Sequence, residues 1–239
     1  MENVRLVYEQ IETAREHLLQ GCVLHSRLAL ILLDNVAELL MAKALEEELA
    51  FENFCYPPNR EPRLSDDRRP KYTAEEREAA RSEFEPKLRI LGHHLNKISA
   101  EDRAILKICH RLRNEAFHAG TIRHTILAHI TVLLLQTVVS LTLKLLIRSF
   151  VLPGPRPAEA AAGFLARFEI EDAMSIAMDA GREHIARKLL EGIALDVRSF
   201  ADTLSGDLLC TVKDFAARRQ GQSAACVLVP FIGRQAGCH

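Results

Sequence analysis

Apolar residues recur along the start of the chain at helical spacing: Val4, Val7, Tyr8, Ile11, Ala14 and Leu18 form one stripe, as on a helix that buries a single face. The pattern predicts a first helix from about Glu2 to Gln20, stopped by Gly21. A longer one is predicted from about Leu24 to Glu52, with an apolar body interrupted by Asp34, Asn35 and Glu38. Asp34 and Glu38 are four apart and therefore share a face. Four prolines and many charges between Phe54 and Tyr72 predict an exposed loop, because proline cannot continue a helix. Thr73 with Glu76 three residues on is a capping box that restarts helix. Pro86 is expected to open the next helical stretch, residues 86–98.

The helix expected over residues 99–120 has Ser99 as N-cap, Glu101 and Asp102 at its positive end, and Gly120 just past its last turn. On a wheel of 100° per residue, Ile105, Ile108, Leu112 and Ala116 lie on one side and are expected to face the core. Lys107, His110, Arg111, Asn114 and His118 form a polar stripe on another side, with Arg113 more than a quarter-turn away from it. A long apolar helix is predicted next, from about Ile122 to Phe150. Its segment Ile126–Leu143 has no formal charge apart from His129, close to the length of a bilayer span. The interruptions Thr131, Gln136, Thr137, Ser140 and Thr142 favour a helix buried centrally in a bundle, which also needs apolar residues nearly all round. A membrane anchor stays the alternative.

Residues 153–157, Pro-Gly-Pro-Arg-Pro, end this unit. Further helices are expected over 158–220, broken near Gly181 and Gly206, and then a tail that could begin as a short strand and is free to move at its end. The expected fold is all-α: a bundle of four to five helices over 1–152, a proline-rich linker over 153–157 and a smaller helical region over 158–239.

With a net charge of −1, no overall basic excess announces a nucleic-acid binder. The charge is unevenly distributed, however. Residues 1–52 carry a balance of −6, whereas residues 103–157 carry +7 with Glu115 as their one carboxylate. Such a segment suits a small polyanion held at one place better than a long duplex. The six cysteines form no Cys-x-x-Cys pair, which points to reduced thiols and not to a zinc site. Met1–Gln10 lacks a signal-peptide core, and a cytoplasmic location is expected. His93 and His94, His124 and His129, and the Arg182/His184 pair show no metal-ligand spacing.

The polar stripe is either the wet face of an amphipathic helix or a polyanion site. Wet faces ordinarily mix Glu with Lys, and this stripe has no carboxylate. Its residue types suit RNA cleavage. Histidine exchanges protons near neutral pH, and arginine offers a planar fork of donors to phosphate oxygens. Asparagine can orient either. RNA supplies its own nucleophile, the 2′-hydroxyl, so this chemistry needs no metal.

"RNEAFH", Arg113 to His118, resembles the Arg-x4–6-His motif of HEPN domains in the form with a polar residue after the arginine. Spacing alone carries nothing: six Arg/His pairs in the chain meet it, where composition predicts about three by chance. Only the Arg113 pair combines the adjacent Asn114 with the end of a capped helix before an apolar one. The resemblance covers residues 1–152. It implies a compact helical bundle and a metal-independent endoribonuclease without a cofactor, with Arg113, Asn114 and His118 as motif residues. Arg111, Lys107 and His110 are candidates for RNA phosphate binding. Asp34 or Glu38 would be the acidic residue that some members place near the motif, although Asp34 could equally satisfy a buried arginine. The resemblance also implies a homodimer with both motifs in one cleft, an RNA substrate, and an antitoxin or sensor protein as a further partner. Ala119 and Gly120 stand where toxins of this family often carry His-x-Tyr, so regulation through that tyrosine is not expected. A non-catalytic helical module binding RNA, a nucleotide or a protein is the competing expectation.

Overall fold

A computed structural model describes residues 2–55, 72–118, 124–146, 159–170, 179–195, 198–203 and 205–206. Among these the chain is all-α, with no strand. It divides into two compact units, Met1–Leu195 and Asp196–His239.

In the first unit, α1 (Glu2–Leu19) and α2 (Val23–Cys55) form a helical hairpin whose turn contains Gly21 at φ +68°, a conformation glycine adopts without cost. The stripe expected on α1 is the buried one: Val4, Val7, Tyr8, Ile11 and Ala14 are all inside, with Leu18 half-buried. The central helix is α2, which packs against α1, α5 (Ala100–His118) and α6 (His124–Leu145). It is apolar on more than one side because it has neighbours on more than one side. Leu30, Leu33, Val36, Ala37, Leu40 and Met41 are almost wholly buried.

Helix α3 (Ala74–Ser82) starts with the expected capping box: the Thr73 hydroxyl accepts from the Glu76 N–H, and the Glu76 carboxylate accepts from the Thr73 N–H. Helix α4 (Phe84–Arg89) begins two residues earlier than its proline suggested. Pro86 is still within the first turn, where a missing N–H removes no intrahelical bond. One wider turn, Ile90–His94, follows. Gly92 in that turn lies under the Arg103 side chain, and a Cβ placed there would come within 2.2 Å of Arg103 Cδ. The Ser99 hydroxyl caps α5 by accepting from the Asp102 N–H at 3.1 Å. Gly120 lies outside the described residues.

The apolar α6 is long and apolar enough to cross a membrane by length and composition, and 61% of its most apolar window is buried inside the bundle. Two of its buried polar residues are satisfied locally: the Thr131 and Thr142 hydroxyls donate to the Leu127 and Val139 carbonyls. Helices α7 (Glu159–Arg167) and α8 (Asp179–Leu190) pack on α1, and α8 also packs on α6. The linker expected at 153–157 lies outside the described residues, and the compact unit continues past it to Leu195. Near Gly181, where a break is expected, α8 begins at Asp179, with Gly181 in its first turn, and it ends at Leu190, just before Gly192 at φ +75°; residues 171–178 lie outside the described residues. Arg182 is buried in α8 and paired with Asp179. The second unit is helical over residues 198–203 and 205–206, including Gly206. The rest, with the tail, lies outside the described residues.

Candidate functional site

Helix α5 is rotated about a quarter-turn from the expected orientation. Ile108 is 44% exposed, Ile105 and Leu112 are half-buried, and the side chain of Ala116 is outside the description. The inward face instead carries Leu106 and Cys109, both buried, flanked by half-buried His110 and Arg113. The physical reason lies on the neighbouring helix. Asp34 of α2 is 0% exposed, and a buried carboxylate needs a cation and hydrogen-bond donors. Turning Arg113 and His110 inward supplies both.

The geometry of this cluster is specific. Arg113 Nε donates to Asp34 Oδ2 at 2.7 Å, and its Nη2 donates to Glu38 Oε1 at 2.5 Å. Arg113 Nη1 donates to the Asn114 side-chain oxygen at 2.9 Å. His110 Nδ1 lies 3.3 and 3.2 Å from the two Asp34 oxygens and 3.4 Å from Glu38 Oε1. An ionised carboxylate only accepts, so Nδ1 carries the ring hydrogen at this contact. Phe84 of α4 stacks flat on the His110 ring, with centroids 3.8 Å apart and planes 5° apart. The i, i+4 spacing of Asp34 and Glu38 thus puts both carboxylates on one guanidinium, forming a cluster of two acids, one arginine, one imidazole and one amide.

The electrostatics extend to Cys109. Burial, and after it the negative charge of Asp34, push the thiol up to about 12, so it is a protonated, unreactive sulfur at neutral pH. Cys22 is also a free thiol and is half-buried. Asp34, Glu38 and His110 offer three ligand atoms within 4.8 Å of one another, the donor types of a divalent-cation site. Arg113 already lies on both carboxylates, and a metal ion would have to displace it.

The other candidates separate from this cluster. Lys107 reaches Glu85 of α4 at 2.6 Å and is half exposed. Arg111 is 73% exposed and lies 3.5 Å from Glu115 on its own helix. His118 is the last residue of α5, and its side chain is outside the description. The expected stripe therefore splits: His110 and Asn114 join Arg113 and the two acids, while Lys107 and Arg111 face away. Phe84 was missed, because a lone aromatic in a charged stretch gives no sign of what its ring covers.

The fold and cluster define an all-α protein with a partly buried carboxylate–guanidinium–imidazole cluster between α2 and α5. No family model, curated protein or solved structure matches the chain.

Proposed function

We propose that the protein is a metal-independent endoribonuclease of the HEPN type that cleaves single-stranded RNA. The observation that carries the reading is the convergence of Arg113, Asn114 and His110 of α5 with Asp34 and Glu38 of α2, on a helix that also ends in His118. The motif residues Arg113 and Asn114 are hydrogen-bonded to each other, and the arginine is anchored to a second helix. The pairing with Asp34 fixes the orientation of the guanidinium, which is what positioning it beside a phosphate requires.

In the proposed reaction the 2′-oxygen attacks the adjacent phosphorus, the new O2′–P bond forms, and the P–O5′ bond breaks to leave a 2′,3′-cyclic phosphate. The 2′-hydroxyl loses a proton and the departing O5′ gains one; His118 performs one of these transfers and water the other. Arg113 stabilises the added negative charge on the phosphoryl oxygens. Two copies of the chain would line one cleft, and a restraining antitoxin or sensor partner fits a potentially toxic activity.

His118→Ala and Arg113→Ala are each expected to lower cleavage of single-stranded RNA at least about 100-fold, with EDTA leaving the wild-type rate unchanged. Activity that survives His118→Ala, or that requires Mg²⁺, removes this mechanism.

One observation favours a second reading, a non-catalytic helical module. Arg113 is engaged by both Asp34 and Glu38, as in a guanidinium that only neutralises a buried acid. RNA binding without cleavage by the wild-type chain selects it.

A further inference from the structure

Glu38 and Asp34 hold Arg113 in different ways. Asp34 is 0% exposed, whereas the Glu38 side chain is 33% exposed. One oxygen, Glu38 Oε1, lies 2.5 Å from Arg113 Nη2 and 3.4 Å from His110 Nδ1. A single anionic oxygen thus bridges the two cationic or donor groups of the site on its more open side, while Asp34 fixes both from beneath. Arg113 has five N–H donors. Three are used, on Asp34, Glu38 and Asn114, leaving two without a partner among the described residues.

We infer that the Glu38 carboxylate occupies the oxyanion subsite of this protein, and that a phosphate oxygen of the ligand must displace it. A carboxylate oxygen stands in for a phosphoryl oxygen because both are anionic acceptors that a guanidinium fork binds in the same way. Glu38 is the displaceable partner because its exposure gives it water as an alternative; Asp34 has no such alternative and remains to orient Arg113 and His110. The resident charge also sets specificity. A ligand must bring enough negative charge to compete, which favours phosphodiesters and phosphate over neutral groups. The inference takes from the ribonuclease reading only the identity of the natural ligand, a phosphodiester of RNA.

The experiment measures inorganic phosphate binding by calorimetry at low ionic strength for the wild-type chain, Glu38→Ala, Glu38→Gln and Glu38→Ala/Arg113→Ala. Helicity by circular dichroism checks that each is folded, and Glu38→Gln keeps a side chain of the same shape should the alanine variant unfold. Removing the resident charge is expected to tighten phosphate binding by roughly tenfold, with the gain lost when Arg113 is also removed. Unchanged or weaker binding in both single variants, or a gain that persists without Arg113, overturns the subsite. RNA cleavage is scored separately. A wild-type chain that cuts no RNA, but gains phosphate affinity on loss of Glu38, removes the ribonuclease reading and keeps the subsite.

Discussion

Asp34 holds the site together, because it is a fully buried carboxylate on which Arg113 and His110 both converge. Breaking a buried ion pair by removing one partner leaves the other charge uncompensated. Asp34→Ala is therefore expected to lower the unfolding free energy by about 3–5 kcal/mol, read from denaturant midpoints. Glu38→Ala should cost much less, since its side chain has access to water and Arg113 retains Asp34. Equal costs would contradict the division of roles between the two acids. Cys109 adds a pH dependence of known sign. Its folded value, about 12, lies above the ordinary 9.0, so the folded state keeps a proton that the unfolded chain releases. The associated stability is complete below pH 9 and is lost as pH rises towards 12. Accordingly, mass spectrometry after iodoacetamide treatment at pH 8 should find Cys22 modified well before Cys109. Faster labelling of Cys109 would mean that this face of α5 opens to solvent.

At the scale of the elements, much was legible in the sequence because local signals act locally. The stripe of α1, the Thr73–Glu76 box and the Ser99 cap depend on residues within one or two turns, and the structure has all three. Asp34 and Glu38 also share a face as their spacing required. The orientation of α5 was not legible. Ranking its faces by apolarity put Ile108 inside, and only the buried carboxylate of another helix explains why Arg113 and His110 turn inward in its place. A pair of opposite charges hides in a sequence, since each residue alone looks like surface. The turn at Ile90–His94 was equally hidden, as was the close approach of Arg103 to Gly92 within it. Gly92→Ala is expected to destabilise the protein by about 1–3 kcal/mol, since a Cβ within 2.2 Å of Arg103 Cδ forces that side chain aside. Thermal unfolding measures it, and Gly92→Ala combined with Arg103→Ala should recover part of the loss. An unchanged melting temperature in the single variant would mean that Arg103 moves away freely.

At the scale of the whole molecule, the site on a single chain carries one arginine and one histidine of the motif, and the proposed composite cleft joins two chains. That arrangement has a consequence that no single-site enzyme shares. If the arginine of one protomer works with the histidine of its partner, an Arg113→Ala chain and a His118→Ala chain, each inactive alone, regain a complete pair when they dimerise together. Random exchange makes half of the dimers mixed, each with one intact pair out of two, so activity should return to about a quarter of the wild-type level. The variants are mixed after reversible dissociation, and sedimentation checks that dimers re-form. If each protomer instead acts with its own arginine and histidine, no mixture contains a complete site, and activity stays at background. Arg113 is anchored in the same way under either outcome. Its Nε and Nη2 are turned inward to Asp34 and Glu38 of its own chain, so it is fixed by its own protomer whichever histidine it serves. Asp34→Asn should therefore impair the Arg113-intact member of the mixture, and adding it to the His118→Ala chain should abolish the recovery. Recovery that survives this change would separate the role of Arg113 in the cleft from its anchorage on α2.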